Sequence, residues 1–145
     1  MARSAVGEQP LTWDPIAAQV AANYAAMCNF AHNPNRNSDY TALGGASSGL
    51  GENISAGAPT QTPAAAVASW IDEEQYYDHA TNTCSAPNGG ECGHYTQIVW
   101  STTTQVGCAH YSCTTNSPFG SSFPDWDYSV CDFNPPGNFV GQSPY

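Results

Sequence analysis

The segment GGECGHYTQIVWSTTTQVGCAHYSC, from Gly89 to Cys113, carries three of the six cysteines and two of the four histidines. Its middle part, YTQIVW at residues 95–100, is β-branched and aromatic, so propensity alone favours a strand there. Residues 105–112 favour a second strand, and residues 126–133 favour a third across a connection rich in Ser, Pro and Gly. The sequence therefore predicts a β-hairpin with a long loop.

The length and the cysteines indicate one disulfide-stabilised domain. A chain of 145 residues with 41% hydrophobic residues can bury one small core. Six cysteines at irregular spacings indicate three disulfides in an oxidising compartment rather than a zinc ribbon, but the spacing alone leaves the pairing open. No apolar run is long enough to span a membrane, and no signal peptide is recognisable. We therefore expect a secreted protein in a mature form.

The charge of the chain is strongly acidic. Twelve Asp and Glu residues face only two Lys and Arg residues, which gives a net charge of −10 at pH 7. Such a chain repels phosphate backbones and anionic membrane surfaces, so nucleic-acid binding is excluded as a function class. Its solubility must rest on uncharged polar side chains and on the repulsion between like-charged molecules. We expect a monomer.

Two helix starts are marked by a capping residue followed by proline. Asp14 precedes Pro15, and Thr62 precedes Pro63. Residues at helical spacing follow each start: Ile16, Val20, Tyr24, Met27 and Cys28 after the first, and Ala66, Trp70, Glu73 and Tyr77 after the second. Segments rich in Gly, Pro, Asn and Ser predict irregular structure: residues 33–51, residues 81–93 and the tail from residue 135 to residue 145.

Four ionisable residues are candidates for a functional cleft: His32, Glu52, Glu73 and His94. Two imidazoles and two carboxylates are the ligand types of a zinc site, and they are also the groups used in general acid–base catalysis. The four residues lie far apart in the sequence, so their spacing alone is weak evidence. Taken singly, each of them also fits an ordinary loop or helix-surface residue.

Several motifs together resemble the CAP superfamily, which comprises cysteine-rich secretory proteins, antigen 5 and the group 1 pathogenesis-related proteins. GHYTQIVW (93–100) resembles the first family signature, and YSVCDFNPPGNFVGQSPY (128–145) resembles the second. CNFAH (28–32), GENISAG (51–57) and WIDE (70–73) resemble its other landmarks, in the same order. The likeness extends over residues 1–145 as one domain, whose first helix looks trimmed at its N-terminus.

The resemblance implies an α+β fold, a three-layer α-β-α sandwich around a small antiparallel sheet with three disulfides. The implied pairings are Cys28–Cys113, Cys84–Cys92 and Cys108–Cys131. The family also places HYTQIVW on a short helix, against the strand propensity. We follow the family at this segment, because tertiary packing commonly overrides propensity in so few residues.

The resemblance assigns the family's cavity histidines to His32 and His94 and its cavity glutamates to Glu52 and Glu73. Such a cleft can bind Zn²⁺ or another divalent cation, with the glutamates as extra ligands or as acceptors from the ring N–H groups. The aromatic residues Tyr76 and Tyr77 lie near the family's sterol-linked loop and are candidates for lipid binding, although packing in the core is the simpler account for Tyr77.

Two positions depart from the family pattern. Residue 129 is Ser, where the family usually has an apolar strand residue. The loop between His32 and Glu52 is longer than in plant members, so the rim of the cleft differs. His79 and His110 have no counterpart among the family's cavity residues, and we interpret both as structural.

The resemblance favours a secreted binding domain with a role in defence or virulence, and with a lipid or sterol ligand, over an enzyme. One alternative is a metal-dependent hydrolase, in which His32 and His94 bind zinc and Glu52 or Glu73 activates water. The other is a precursor of a C-terminal signalling peptide, Pro135–Tyr145, as in plant group 1 pathogenesis-related proteins. The junction before that peptide reads CDFN here, where the plant form carries CNY.

Overall fold

The computed structural model describes residues 2–46 and 49–145. Five α-helices, two 3₁₀ helices and six strands occur in this part of the chain: α1 (Ala2–Ala5), β1 (Thr12–Trp13), α2 (Pro15–Ala25), α3 (Arg36–Ala42), β2 (Gly51–Gly57), α4 (Pro63–Ile71), η1 (Asp72–Tyr76), β3 (Tyr77–Asp78), β4 (Thr83–Cys84), η2 (Pro87–Gly89), α5 (Gly93–Ile98), β5 (Gln105–Cys113) and β6 (Trp126–Asn134). None of the described helices has the length and hydrophobicity of a membrane span.

A four-stranded sheet with the order β1-β5-β6-β2 forms the middle layer. The β5–β6 and β6–β2 pairs are antiparallel, as predicted, whereas the two-residue strand β1 runs parallel to β5 and makes the sheet mixed. Helix α2 packs on one face, where Ala21 and Tyr24 contact Tyr128 and Val130. On the other face, Trp70 of α4 packs on β6, and the α+β sandwich is thereby confirmed.

Both predicted helix starts are confirmed. The Asp14 side chain accepts the N–H groups of Ile16 and Ala17 at 2.9 and 3.1 Å, and the Thr62 hydroxyl accepts that of Ala65 at 3.1 Å. These bonds satisfy N–H groups that have no partner within the helix. Helix α4 ends at Ile71, earlier than the spacing predicted. Of the predicted face, Ala66 and Trp70 are α-helical, Glu73 lies in the 3₁₀ helix η1, and Tyr77 begins β3.

Three other segments differ from their local signals. The segment predicted as a loop, residues 33–51, contains α3, while residues 47 and 48 lie outside the described residues. The motif GENISAG forms all of β2, because each of its residues pairs with a residue of β6. YTQIVW favours a strand by propensity, but residues 95–98 belong to α5, as the family resemblance implied.

All three implied disulfides are confirmed. Cys28, just beyond α2, bonds Cys113 at the end of β5, and Cys84 bonds Cys92. Cys108 and Cys131 are directly opposite each other in the β5–β6 register and are joined by the third bond. The bridges therefore tie one outer layer to the sheet, close a surface loop and link the two longest strands.

We predict that the disulfides differ in their contribution to stability according to the length of chain that they close. The Cys28–Cys113 bridge spans 85 residues and the Cys84–Cys92 bridge spans 8. Loop-closure entropy then gives about 4–5 kcal/mol for the first and about 2–3 kcal/mol for the second. Urea denaturation of the paired Cys→Ala variants measures both values. Equal losses in the two variants would contradict this ordering.

Candidate functional site

The first histidine–glutamate pair joins the loop after α2 to the start of β2. The Nδ1 atom of His32 lies 2.7 Å from Glu52 Oε1, and the same oxygen accepts the Asn33 N–H at 2.9 Å. The Glu52 side chain is 1% exposed, whereas the His32 side chain is 59% exposed. A buried carboxylate therefore fixes an exposed imidazole through Nδ1, which leaves Nε2 for a ligand.

The second pair joins η1 to α5. The Nδ1 atom of His94 lies 2.6 Å from Glu73 Oε1, and Glu73 Oε2 accepts the N–H groups of His94 and Tyr95 at 3.0 Å each. The carboxylate thus caps the start of α5 and orients an imidazole carried by that helix. The indole of Trp70 stacks on the His94 ring at a centroid distance of 5.9 Å, which restricts the ring further.

The edge strand β2 brings the two pairs near each other. Glu52 is its second residue, and the next residue, Asn53, donates from Nδ2 to the His94 carbonyl oxygen at 3.0 Å. Because neighbouring residues of a strand point to opposite faces, Glu52 contacts His32 from one face of this edge strand and Asn53 contacts the backbone of His94 from the other. Within the described residues, no three or more His, Cys, Asp or Glu side chains form a group that could hold a metal ion. The donor set is therefore two separately oriented imidazoles.

Comparisons with known proteins show the family of this chain. The family model of the cysteine-rich secretory protein family, CAP, matches residues 1–133. This chain belongs to the CAP family.

Relatives within the family include plant pathogenesis-related proteins. The chain is 42% identical over 149 residues to pathogenesis-related protein 1B of Nicotiana tabacum, with 99% of this chain and 74% of the relative covered. It is 39% identical over 146 residues to pathogenesis-related protein PR-1 of Medicago truncatula, with 100% and 73% covered. The solved structure of Schistosoma mansoni venom allergen-like protein 4 aligns with a TM-score of 0.71 at 25% identity, covering 99% of this chain and 86% of that one.

A carboxyl group beneath the first pair, that of Asp132, was not predicted from the sequence. Asp132 lies directly opposite Glu52 in the β2–β6 register and is fully buried. Among the described residues, neither of its carboxylate oxygens has a hydrogen-bond donor, and neither does Glu52 Oε2. Burial, and secondarily the neighbouring Glu52, raise the pKa of Asp132 to about 8. The only signal in the sequence is CDFN in place of the CNY of plant CAP proteins.

An apolar cavity of this CAP domain was not predicted from the sequence either. It has a volume of about 390 Å³ and lies between the N-terminal segment, α4 and α5. Its lining is mainly aliphatic and is formed by Ala2, Arg3, Ser4, Pro10, Leu11, Val67, Ile71 and Ile98. Because these residues come from four separate segments, no single sequence motif marks the cavity.

The predicted lipid-binding residues Tyr76 and Tyr77 lie outside that lining and are half-buried. The Tyr77 ring packs at 6.0 Å from the ring of the buried Tyr95, and its hydroxyl donates to Asn82 Oδ1 at 2.8 Å. These contacts give Tyr77 a packing role within the domain. Lipid binding by the two tyrosines stays a prediction.

The C-terminal segment, Pro135–Tyr145, packs along α5. Gly137 N–H donates to Gln97 Oε1 at 2.9 Å, and the Asn138 amide donates to the Gly93 carbonyl oxygen at 2.7 Å. At its end, the ring of Tyr145 stacks on His79 at 4.2 Å. Release of this segment as a peptide stays a prediction, and it would remove contacts from the helix that carries His94.

We predict that Asp132→Asn stabilises the domain most at neutral and alkaline pH. Because the pKa of Asp132 is raised in the folded state, the folded protein holds a proton that the unfolded chain releases. The free energy of unfolding therefore falls as pH rises from the ordinary range of aspartate towards 8. An amide remains neutral throughout this range and can donate an N–H to Glu52 Oε2.

The expected gain is on the order of 1–3 kcal/mol at pH 8–9 and smaller at pH 5, as measured by urea denaturation at a series of pH values. Asp125→Asn is the matched control, because Asp125 is an exposed residue just before β6. An equal change in both variants, or a gain in Asp132→Asn that does not grow with pH, would show that the buried pair does not set this dependence.

Proposed function

We propose that this chain is an extracellular, defence-related CAP domain that acts by binding, and that His32 and His94 bind a divalent cation through their Nε2 atoms. The observation that carries the proposal is the pairing of each Nδ1 atom with a glutamate oxygen, at 2.7 and 2.6 Å. Metal-binding histidines commonly donate the other ring N–H to a carboxylate, which fixes the tautomer and raises the basicity of the ligating nitrogen.

The two glutamates orient the ligands in this proposal rather than binding the cation themselves. Glu73 uses one oxygen for the imidazole and the other for two backbone N–H groups. Glu52 uses one oxygen for the imidazole and a backbone N–H, and its other oxygen lies in the buried pair with Asp132. A bound cation would supply positive charge to a strongly acidic domain, and water or a ligand would complete its coordination.

Binding fits these residues better than metal-dependent hydrolysis. A catalytic zinc ion usually has three protein ligands, and the two pairs offer two imidazoles. A hydrolase also needs a carboxylate that is free to take a proton from water. Glu73 already accepts from three donors, and Glu52 is almost fully buried.

We predict that wild-type protein binds Zn²⁺ in isothermal titration calorimetry and that His94→Ala weakens the binding by at least about tenfold, as expected when one of two ligands is lost. Glu73→Gln should weaken it less than His94→Ala does, by about tenfold, the lower end of the roughly 10–100-fold range of groups that orient a ligand. The affinity should fall with decreasing pH, because a protonated imidazole cannot bind a metal.

His110→Asn is the control for this experiment, because His110 lies on β5, away from both pairs. Unchanged zinc affinity in His94→Ala would remove His94 from the site. Equal losses in His94→Ala and His110→Asn would indicate non-specific binding.

The apolar cavity supports a second candidate function, the binding of a fatty acyl chain or a sterol. Its aliphatic lining of about 390 Å³ suits an apolar ligand, since a cavity of this kind gains free energy when hydrocarbon replaces water. The Arg3 guanidinium beside it is already committed to structure, because it donates to the carbonyl oxygens of Gln9, Ile98, Trp100 and Thr103.

We predict that Ile71→Gln lowers the affinity for fluorescent sterol or fatty-acid probes by about tenfold, because it places an amide in the apolar lining. The double variant Tyr76→Ala, Tyr77→Ala should retain the affinity if the ligand occupies this cavity. The opposite pattern would assign the lipid to the two tyrosines. No saturable binding by the wild type would refute the lipid candidate.

A further inference from the structure

A second cavity, of about 190 Å³, lies between α4 and the face of the sheet that α4 covers. Its apolar walls include Val67, Trp70 and the disulfide between Cys108 and Cys131. Val67 is 38% exposed, so the mouth of the cavity reaches solvent. The family comparisons and the two histidine–glutamate pairs assign no role to this cavity.

One end of this cavity is polar because of two residues on adjacent strands. His110 and Ser129 are directly opposite each other in the β5–β6 register, and both line the cavity. The Ser129 side chain is buried, and its Oγ lies 2.9 Å from His110 Nδ1.

Asp127 sets the direction of that hydrogen bond. Its carboxylate accepts the Ser112 hydroxyl at 2.6 Å and the Gln61 N–H at 2.8 Å. Although burial opposes ionisation, these hydrogen bonds and the nearby His110 lower the pKa of Asp127, which therefore stays ionised. Its Oδ1 lies 3.8 Å from His110 Nε2, and this negative charge favours the tautomer with a proton on Nε2.

At this polar end, the Nε2–H group of His110 has no hydrogen-bond acceptor among the described residues, and a carboxylate lies near it. With the proton on Nε2, the Ser129 hydroxyl donates to Nδ1, while Nε2–H faces a carboxylate that is too distant for a good hydrogen bond. A ligand hydroxyl can accept from Nε2–H and donate to Asp127, because a hydroxyl has both functions. An anionic ligand would be repelled by Asp127 and by the net charge of −10.

The size of the cavity limits the rest of the ligand. An apolar cavity of roughly 150 Å³ in another protein holds benzene, and the volume here is about 190 Å³. One aromatic ring with a small substituent therefore fits, whereas a sterol does not. We propose that this cavity binds a neutral, single-ring phenol, with its ring against Val67 and Trp70 and its hydroxyl at the polar end formed by His110 and Ser129, beside the carboxylate of Asp127.

The test compares 4-methylphenol with toluene, which lacks only the hydroxyl. Both are titrated into the oxidised wild-type chain while NMR follows the His110 ring and the Val67 methyl groups. We expect saturable shifts at both residues and at least about tenfold tighter binding of 4-methylphenol, the factor given by hydrogen bonds to a charged group. Ser129→Val, which introduces an apolar residue, should reduce this preference to within about threefold.

Tyr111→Phe is the matched control on the opposite face of β5, and it should leave the preference unchanged. Equal affinities of the wild type for the two molecules would overturn the proposal even if Ser129→Val did not fold. Shifts at His94 without shifts at His110 would also overturn it, since they would place the phenol in the histidine–glutamate cleft. Absence of saturable shifts for 4-methylphenol would also overturn the proposal.

Discussion

Strand β6 is the element on which the rest of the structure depends, because it is paired along both edges and buried along its whole length. Its residues alternate between the face covered by α2 and the face covered by α4, so both outer layers are built on this strand. A strand in this position must satisfy its polar side chains inside the protein, since water cannot do so. Asn134 and Asp127 have several internal partners, and Ser129 has His110.

The two cleft glutamates connect this framework to the imidazoles. Each carboxylate binds a histidine ring and also accepts at least one backbone N–H, so it has a structural partner besides the imidazole. A side chain held in this way loses little further entropy when its imidazole binds a ligand, and this favours affinity. The same contacts explain why the short helix α5 is stable, since a helix of six residues has little stability of its own.

The features that could be predicted from the sequence were those with a local or covalent cause. Asp14–Pro15 and Thr62–Pro63 mark their helices because cap and proline act within one turn. The strands β5 and β6 were predicted nearly to their ends, and the disulfide pairing followed from the family resemblance.

The features that local patterns alone do not predict have long-range causes. YTQIVW favours a strand locally, but Glu73, 21 residues before His94, supplies the acceptor that starts a helix there. Strand β2 depends on pairing with β6, far along the chain, and its Gly, Asn and Ser residues give a poor strand signal. The sequence predicted four site residues, but it did not predict the buried pair of Glu52 with Asp132. That pair depends on the register between β2 and β6, which no local sequence pattern reveals.

Two residues of β6 show how the environment decides the consequence of a polar side chain in a buried strand. Ser129 faces α4, where its hydroxyl forms a hydrogen bond with His110. This bond offsets the free-energy cost of burying the hydroxyl. Asp132 faces the other layer, where its nearest cross-strand neighbour is another carboxyl group and no donor is in reach among the described residues. A proton on Asp132 makes that pair tolerable, because two buried negative charges repel strongly and the positive charge of Arg36 offsets only part of the cost. The carboxylate that orients His32 therefore lies beside a carboxyl group that is buried without a donor among the described residues, whereas the carboxylate of Glu73 accepts two backbone N–H groups.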